Sequence, residues 1–178
     1  AGLGHAVWCA RNMVHNEPVA VLLADDLILG QSCIAEMVAH YRGGNMVAVM
    51  NVAMDQTLSY GIITPGKDDG KLIEVTGLVE KPQPKDAPSN IAVVGRYIIE
   101  PAVFQTLSNI QRGAGGEIQL TDALAKQIGS SAFYGLRFSG ERFDCGSKMG
   151  FLKANIAFAM ANETLASDLQ EWIKDRYS

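Results

Sequence analysis

Two adjacent aspartates that follow an apolar run are the first residues of this sequence suited to chemistry. Residues 19–23 are all apolar, and Asp25 and Asp26 follow after Ala24. Such a run predicts a strand buried on both faces, as in the centre of a parallel sheet. Ligands of α/β sheets bind beyond the carboxyl ends of the strands, and carboxylates are hard oxygen ligands suited to Mg²⁺. The residues alone leave open a second interpretation, in which both aspartates only form a turn.

A charged pair followed by proline is the second candidate. Glu80, Lys81 and Pro82 end another predicted strand. Pro82 predicts an extended backbone at Lys81, because proline disfavours the helical conformation of the residue before it. This conformation fixes where the Lys81 side chain starts. The alternative is a solvated ion pair with no further role.

Asp144 and two early glycines complete the set. Asp144 precedes a predicted helix that begins near Ser147, where an aspartate is commonly a helix cap. Gly2 and Gly4 lead into a helix-like run that extends to about Arg11. Glycines before a helix let the backbone approach an anion. A flexible turn remains the alternative, because the longer dinucleotide-binding fingerprint is absent.

Alternating helices and strands are predicted to position these residues. Apolar residues spaced as on one helix face run from Ile34 to Tyr41, and Ile118, Leu124 and Ile128 predict the buried face of a later helix. Asp69-Gly70 predicts a tight hairpin, so the sheet is expected to be mixed. Further helices are predicted from Pro101, near Ser147 and around 165–173. Strands are predicted at 46–52, 60–63, 72–79, 91–99 and 133–138.

Length and composition limit the class of protein. The 178 residues are enough for one domain, with 48% hydrophobic and 19% charged residues. The net charge of −4 argues against nucleic acid as the main partner. No apolar run is long enough to span a membrane. Three cysteines without metal-site spacing favour a reducing, cytoplasmic environment.

Several motifs together resemble the bacterial UTP–glucose-1-phosphate uridylyltransferases. Their order and spacing match over nearly the whole chain. The motifs are GLGHAV at 2–7, the strand ending in Asp25, Tyr60-Gly61, VEKP at 79–82, APSN at 87–90, GRY at 95–97, GEIQLTDAL at 116–124 and DCGSKMG at 144–150. VEKP occurs widely among sugar nucleotidyltransferases, whereas GEIQLTD combined with DCGxK is narrower.

The resemblance implies an α/β, Rossmann-like nucleotidyltransferase fold with a mixed, mainly parallel central sheet flanked by helices, plus a small antiparallel portion. It also implies that UTP and glucose 1-phosphate give UDP-glucose and pyrophosphate, by in-line attack of a sugar phosphate oxygen on the α-phosphorus of UTP. Such phosphoryl chemistry needs positioning and positive charge more than a covalent intermediate.

The same resemblance assigns roles to individual residues. Asp25 and Asp144 would hold Mg²⁺, and Asp25 would also contact substrate. Lys81 would neutralise the sugar phosphate, and Glu80 would accept hydroxyl protons of the glucose ring. Gly61 would let the sugar lie against the backbone. Gly2 and Gly4 would line the pocket for uracil and ribose.

The family begins with a glycine-rich loop that wraps the triphosphate and with the first strands of the sheet. Neither is found in this sequence, so residues 1–178 are expected to form the C-terminal portion of a single domain and to be inactive alone. A homo-oligomer is expected. Two alternatives stay open: a thymidylyltransferase for the same sugar, and a module that binds a UDP-sugar without catalysis.

Overall fold

The computed structural model describes residues 1–109 and 111–177, which divide into two compact units. The first, here called the sheet unit, comprises residues 1–22 and 33–138. The second, here called the ribbon unit, comprises residues 23–32 and 139–177. The expectation of a single domain therefore stays a prediction.

The sheet unit contains six strands and four α-helices. The strands are β1 (Val19–Leu22), β3 (Asn45–Asn51), β4 (Gly61–Asp68), β5 (Leu72–Glu80), β6 (Ile91–Ile99) and β7 (Phe133–Arg137). The helices are α1 (Leu3–Cys9), α2 (Cys33–His40), α3 (Pro101–Asn109) and α4 (Leu120–Ala125), with short 3₁₀ helices at Met54–Ser59 and Ala114–Gly116.

The six strands form one mixed sheet in the order β1-β6-β3-β7-β5-β4. β3 and β7 run parallel, whereas the other neighbouring pairs of described strands run antiparallel. The expected mixed sheet with flanking helices is thus confirmed, but "mainly parallel" is wrong for these residues. The β4–β5 hairpin is short and therefore joins antiparallel strands. In contrast, β6 pairs antiparallel with β1 and β3, which lie far from it in sequence, so local patterns do not set their direction.

The core is centred on β3 and β6. Eight of the nine residues of β6 are buried, as are the first five of β3. Continuous apolar runs in both strands allow them to be covered on both faces.

β1 differs from what its sequence predicts. Residues 19–23 suggest a central parallel strand, yet β1 lies at the edge of the sheet, antiparallel to β6. Its burial alternates, and Leu22 is 51% exposed. An apolar run shows that side chains avoid water, but it does not specify which strands will lie beside it.

The β4–β5 hairpin is confirmed at the predicted turn. Gly70 adopts a φ of 93°, which favours glycine, and the Asp69 N–H donates to the Leu72 carbonyl at 3.0 Å. Arg137 donates two bonds to the Asp68 carboxylate, at 2.8 and 2.9 Å. These bonds lower the pKa of Asp68 below its usual value, helped by the Gly70 N–H.

Two helices of the sheet unit show where periodicity succeeds and fails. In α2, Met37 is fully buried as predicted, but Val38 is 63% exposed. α4 starts only at Leu120, so Ile118 precedes it and Ile128 follows it. Of the predicted buried face only Leu124 belongs to the helix, and Leu120, Thr121 and Ala123 are buried as well.

The ribbon unit consists of a two-stranded ribbon and two helices. β2 (Asp26–Leu29) pairs antiparallel with β8 (Glu141–Asp144), and α5 (Lys148–Met160) and α6 (Glu163–Tyr177) follow. The predicted helix start is confirmed, since the Ser147 hydroxyl caps α5 by accepting the Gly150 N–H at 3.0 Å. Among the described residues, no helix is both long and apolar enough to cross a membrane.

Candidate active site

Asp25 and Asp144, 119 positions apart by their numbers, meet in the ribbon unit. One oxygen of each carboxylate lies near the open side of Gly146: a Cβ built there would be 3.1 Å from Asp144 Oδ1 and 3.4 Å from Asp25 Oδ2. The two oxygens are therefore well within the ~8 Å that two ligands of one Mg²⁺ can span. The expected convergence of these carboxylates is confirmed, whereas metal binding stays a prediction.

Backbone hydrogen bonds hold this pair. The Cys145 N–H donates to the Asp25 carbonyl at 2.7 Å, and the Gly146 N–H donates to Asp144 Oδ1 at 3.0 Å. The first bond fixes the two loops against each other, and the second orients the Asp144 carboxylate. Asp25 is exposed and Asp144 half-buried, so their oxygens remain accessible.

The neighbouring Asp26 has a different environment. It is 5% exposed, and its Oδ1 accepts a hydrogen bond from Arg142 Nε at 2.5 Å. In the ribbon its Cα partner is Asp144. The sequence shows two adjacent carboxylates, and the structure separates them: Asp26 stabilises the ribbon, while Asp25 points to its accessible side.

The donor set fits a hard cation. Two carboxylates that lie close together repel, and a cation between them relieves that repulsion. Mg²⁺ is usually bound by one or two carboxylates with the remaining positions filled by water and substrate phosphates. The described residues contain no cluster of three or more His, Cys, Asp or Glu side chains that could hold a metal.

Glu80 and Lys81 lie in the sheet unit, where β5 ends. Glu80 is opposite Gly61 in the β4–β5 register, and the Lys81 N–H donates to the Tyr60 carbonyl at 3.0 Å. The Lys81 ammonium lies 3.7 Å from Glu80 Oε1, and its side chain is half exposed, against 11% for Glu80. A largely buried carboxylate thus lies beside an accessible cation.

The expected extended backbone at Lys81 is wrong. Lys81 has a φ of 48°, and it is the one non-glycine residue with a positive φ among those described. Such a conformation costs energy and persists only where the surroundings hold it. Here the Lys81 N–H is held by its hydrogen bond to the Tyr60 carbonyl, and the next residue, Pro82, is buried.

Thr121 of α4 contacts the buried carboxylate. Its hydroxyl donates to Glu80 Oε2 at 2.7 Å, and its side chain is 7% exposed. Gly61 makes room for this contact, because a Cβ there would be 2.8 Å from Thr121 Cγ2 and 3.3 Å from Glu80 Oε2. The structure therefore gives Gly61 a packing role, and the expected contact with a sugar stays a prediction.

Close packing also explains why residues 2 and 4 are glycines. Gly2 has a φ of 87°, and a Cβ would lie 2.6 Å from the Ile118 carbonyl oxygen. At Gly4 it would lie 2.8 Å from that oxygen and 2.9 Å from Leu107 Cδ2. Both glycines let α1 approach the segment before α4, and their place in a nucleotide pocket stays a prediction.

Sequence reasoning missed three contributors to these regions. Thr121 and Gly146 belong to motifs that were recognised only as a whole. Thr57 is fully buried and donates to the Met54 carbonyl at 2.8 Å and to the Pro82 carbonyl at 3.3 Å. A single sequence does not indicate that a threonine will form such hydrogen bonds when the partner, here Pro82, is distant along the chain.

A cavity of about 290 Å³ lies elsewhere in the sheet unit. It contains none of the predicted site residues. Its lining includes His40, Arg42, Lys67 and Tyr134. The cavity is therefore distinct from both regions described above.

The sequence of this chain is similar to those of known proteins. A family model described as "nucleotidyl transferase" matches residues 1–160. The UTP–glucose-1-phosphate uridylyltransferase of Komagataeibacter xylinus is 54% identical over 156 residues, which cover 86% of this chain and 55% of that protein. The enzyme of the same name from Bacillus subtilis strain 168 is 42% identical over 171 residues, covering 94% of this chain and 59% of that protein.

A solved structure agrees with the sequence relatives. The crystal structure of a UDP-glucose pyrophosphorylase complexed with UDP-glucose is 38% identical, with a TM-score of 0.86 over 90% of this chain and 63% of that one. The chain thus spans between about half and two thirds of the length of each of these proteins. The family match extends over most of the chain and includes Asp25, Glu80, Lys81 and Asp144. This chain belongs to the nucleotidyl transferase family.

Proposed function

We propose that the protein carrying this chain transfers a uridylyl group from UTP to glucose 1-phosphate, giving UDP-glucose and pyrophosphate. The observation that carries the proposal is the convergence of the Asp25 and Asp144 carboxylates on one accessible point. Relatives with that activity in their names support it. We also propose that residues 1–178 contribute the C-terminal portion of a single catalytic domain, because those relatives are longer.

The proposed metal is a divalent cation, specifically Mg²⁺, held by Asp25 and Asp144. When bound, it would offset the negative charge of the substrate phosphates. The protein's own contribution is the placement of two carboxylate oxygens, fixed by the Cys145 and Gly146 N–H groups.

Lys81 and Glu80 are proposed to receive the sugar phosphate. The half-exposed Lys81 ammonium is available to a phosphate oxygen, and its positive charge stabilises the negative charge that develops in phosphoryl transfer. Glu80 is acceptor-only when ionised, so it suits the hydroxyl groups of a sugar ring. Gly61 is proposed to let the sugar approach, and Gly2 and Gly4 to border the uracil and ribose.

Assembly and location are further parts of the proposal. Exposed apolar side chains on α5, among them Phe151, Leu152 and Ile156, support a homo-oligomer. Three free cysteines support the reducing environment of the cytoplasm. Sedimentation of the protein at several concentrations tests the first point, and a monomer at every concentration would contradict it.

The activity itself is tested by pyrophosphate release from the full-length protein with glucose 1-phosphate and either UTP or dTTP. We expect UTP to be preferred and EDTA to abolish turnover. A preference for dTTP would indicate the thymidylyltransferase instead. Titration of the 178-residue chain with UDP-glucose addresses the third alternative, since binding without any turnover by the full-length protein would indicate a UDP-sugar-binding module.

A further inference from the structure

The Glu80 carboxylate has two oxygens in different surroundings. Oε2 accepts the Thr121 hydroxyl at 2.7 Å and lies against Gly61, whereas Oε1 lies 3.7 Å from the Lys81 ammonium. Lys81 is half exposed, while Thr121 is buried. One oxygen is therefore directed into the protein, and the other lies beside the accessible cation.

Thr121 is held rigidly. It is the second residue of α4, and its helix neighbours Leu120, Ala123 and Leu124 are each no more than 1% exposed. A hydroxyl on such an anchored residue gives a fixed hydrogen-bond direction. A carboxylate that rotated freely would have no preferred orientation for an incoming hydroxyl group.

We propose that Thr121 is a positioning residue for sugar recognition: its hydroxyl holds Glu80 Oε2, so that Oε1 is oriented to accept a hydroxyl group of the sugar ring. This inference rests on the proposed function, in which Glu80 binds the sugar. Thr121 itself touches no substrate. Its methyl group packs over Gly61, and its hydroxyl orients the carboxylate.

The two parts of this side chain can be separated by substitution. Thr121→Val keeps the branched shape and removes the hydroxyl, whereas Thr121→Ser keeps the hydroxyl and removes the methyl group. Loss of a hydrogen bond to a charged group typically changes an equilibrium by at least about tenfold. We expect Thr121→Val to raise KM for glucose 1-phosphate about tenfold, with KM for UTP unchanged. Thr121→Ser, which keeps the hydroxyl, should have a KM for glucose 1-phosphate close to that of the wild type.

A matched control is Thr106→Val in α3. The Thr106 hydroxyl is half-buried and accepts a hydrogen bond from Gln127 Nε2 at 2.5 Å. This substitution should lower the melting temperature without changing either KM. If Thr121→Val behaved in the same way as Thr106→Val, the role of Thr121 would be structural and the proposal wrong.

A double-mutant cycle with Glu80→Gln gives a second readout. If Thr121 acts through Glu80, the double variant should have the same KM for glucose 1-phosphate as Glu80→Gln alone. Additive effects would overturn the proposal. Should Thr121→Val fail to fold, Thr121→Cys replaces it, because a thiol is a poor donor of nearly the same size as the serine hydroxyl.

The wild-type protein separates the two levels of inference. No turnover of UTP with glucose 1-phosphate by the wild type would refute the proposed function. Normal wild-type turnover with an unchanged KM in Thr121→Val would refute only the positioning role.

Discussion

The two candidate regions are built in opposite ways. Glu80 is enclosed by packing, because Thr121 and Gly61 contact its carboxylate. The half-exposed Lys81 has a left-handed backbone, and the Thr57 hydroxyl donates to the carbonyl of Pro82, which follows it. Asp25 precedes β2 and Asp144 ends β8; the Cys145 N–H donates to the Asp25 carbonyl and so joins these two segments, and Asp25 is exposed while Asp144 is half-buried. Recognition of a sugar hydroxyl requires a fixed direction before binding, whereas a cation draws flexible oxygen ligands around itself.

The largest effect is expected from the accessible carboxylates. Asp25→Asn should lower kcat/KM of the full-length protein by about 1000-fold, because a bound metal provides several kcal/mol of transition-state stabilisation. The melting temperature without metal should stay the same or rise, since a repulsion is removed. Steady-state kinetics and thermal unfolding measure the two quantities.

The adjacent Asp26→Asn is the matched control. It weakens the buried contact with Arg142, so the free energy of unfolding should fall by about 3 kcal/mol. The activity that remains should keep its normal dependence on Mg²⁺ concentration. An equal loss of metal dependence in both variants would contradict the division of roles between these neighbours.

A somewhat smaller effect is expected at the packed region. Lys81→Ala should lower kcat/KM by about 100-fold, through the loss of a cation beside the developing phosphate charge. Stability should be nearly unchanged because the side chain is half exposed. Lys85→Ala, at another exposed lysine, should leave the kinetics as they are. An unchanged rate in Lys81→Ala would remove Lys81 from the mechanism.

Gly61→Ala tests whether the packed region depends on close contact. The added methyl group would meet Thr121 Cγ2 at 2.8 Å, so stability should fall by about 1–3 kcal/mol and KM for glucose 1-phosphate should rise. Gly70→Ala also costs stability, because of its φ of 93°, but should leave KM unchanged. If both variants gave the same KM, the fit between Gly61 and Thr121 would be unimportant for recognition.

The smallest effect is expected at a pair outside both regions. The pKa of Asp68 is lowered in the folded chain, chiefly by its hydrogen bond to Arg137. The pair therefore contributes stability above the unfolded pKa of Asp68, and that contribution is lost as the pH falls through the folded pKa. Melting temperatures of the wild type and Asp68→Asn should differ slightly at pH 7 and converge in acid. A constant difference at all pH values would show that charge is not involved.

Local patterns predicted much of the fold. The apolar run of β6, the Asp69-Gly70 hairpin and the helix start near Ser147 each depend on residues close in sequence, and all three were found where expected, although the cap of that helix is Ser147 and not Asp144. Strand direction was not predictable in this way, because the neighbours of β1 are set by distant segments. The same applies to Lys81, where tertiary contacts override the local effect of Pro82.

The residue types of the candidate site were predictable from the sequence, but their spatial arrangement was not. Asp25, Asp144, Glu80 and Lys81 were all selected from the sequence. Their separation into two compact units was not, nor was the contact between Thr121 and Glu80. Such contacts join residues that only the folded chain brings together.

The β2–β8 ribbon also has a consequence for the order of folding. Asp26 and Arg142, which it joins, are separated by 116 positions, so the ribbon closes a very long loop. Long loops cost entropy and form slowly. During synthesis Asp25 leaves the ribosome before Asp144, and β3 to β6, which lie between them in sequence, can pair first. The carboxylate pair is thus among the last features to assemble, and a cation that binds only the completed pair would draw the final folding step toward the native state.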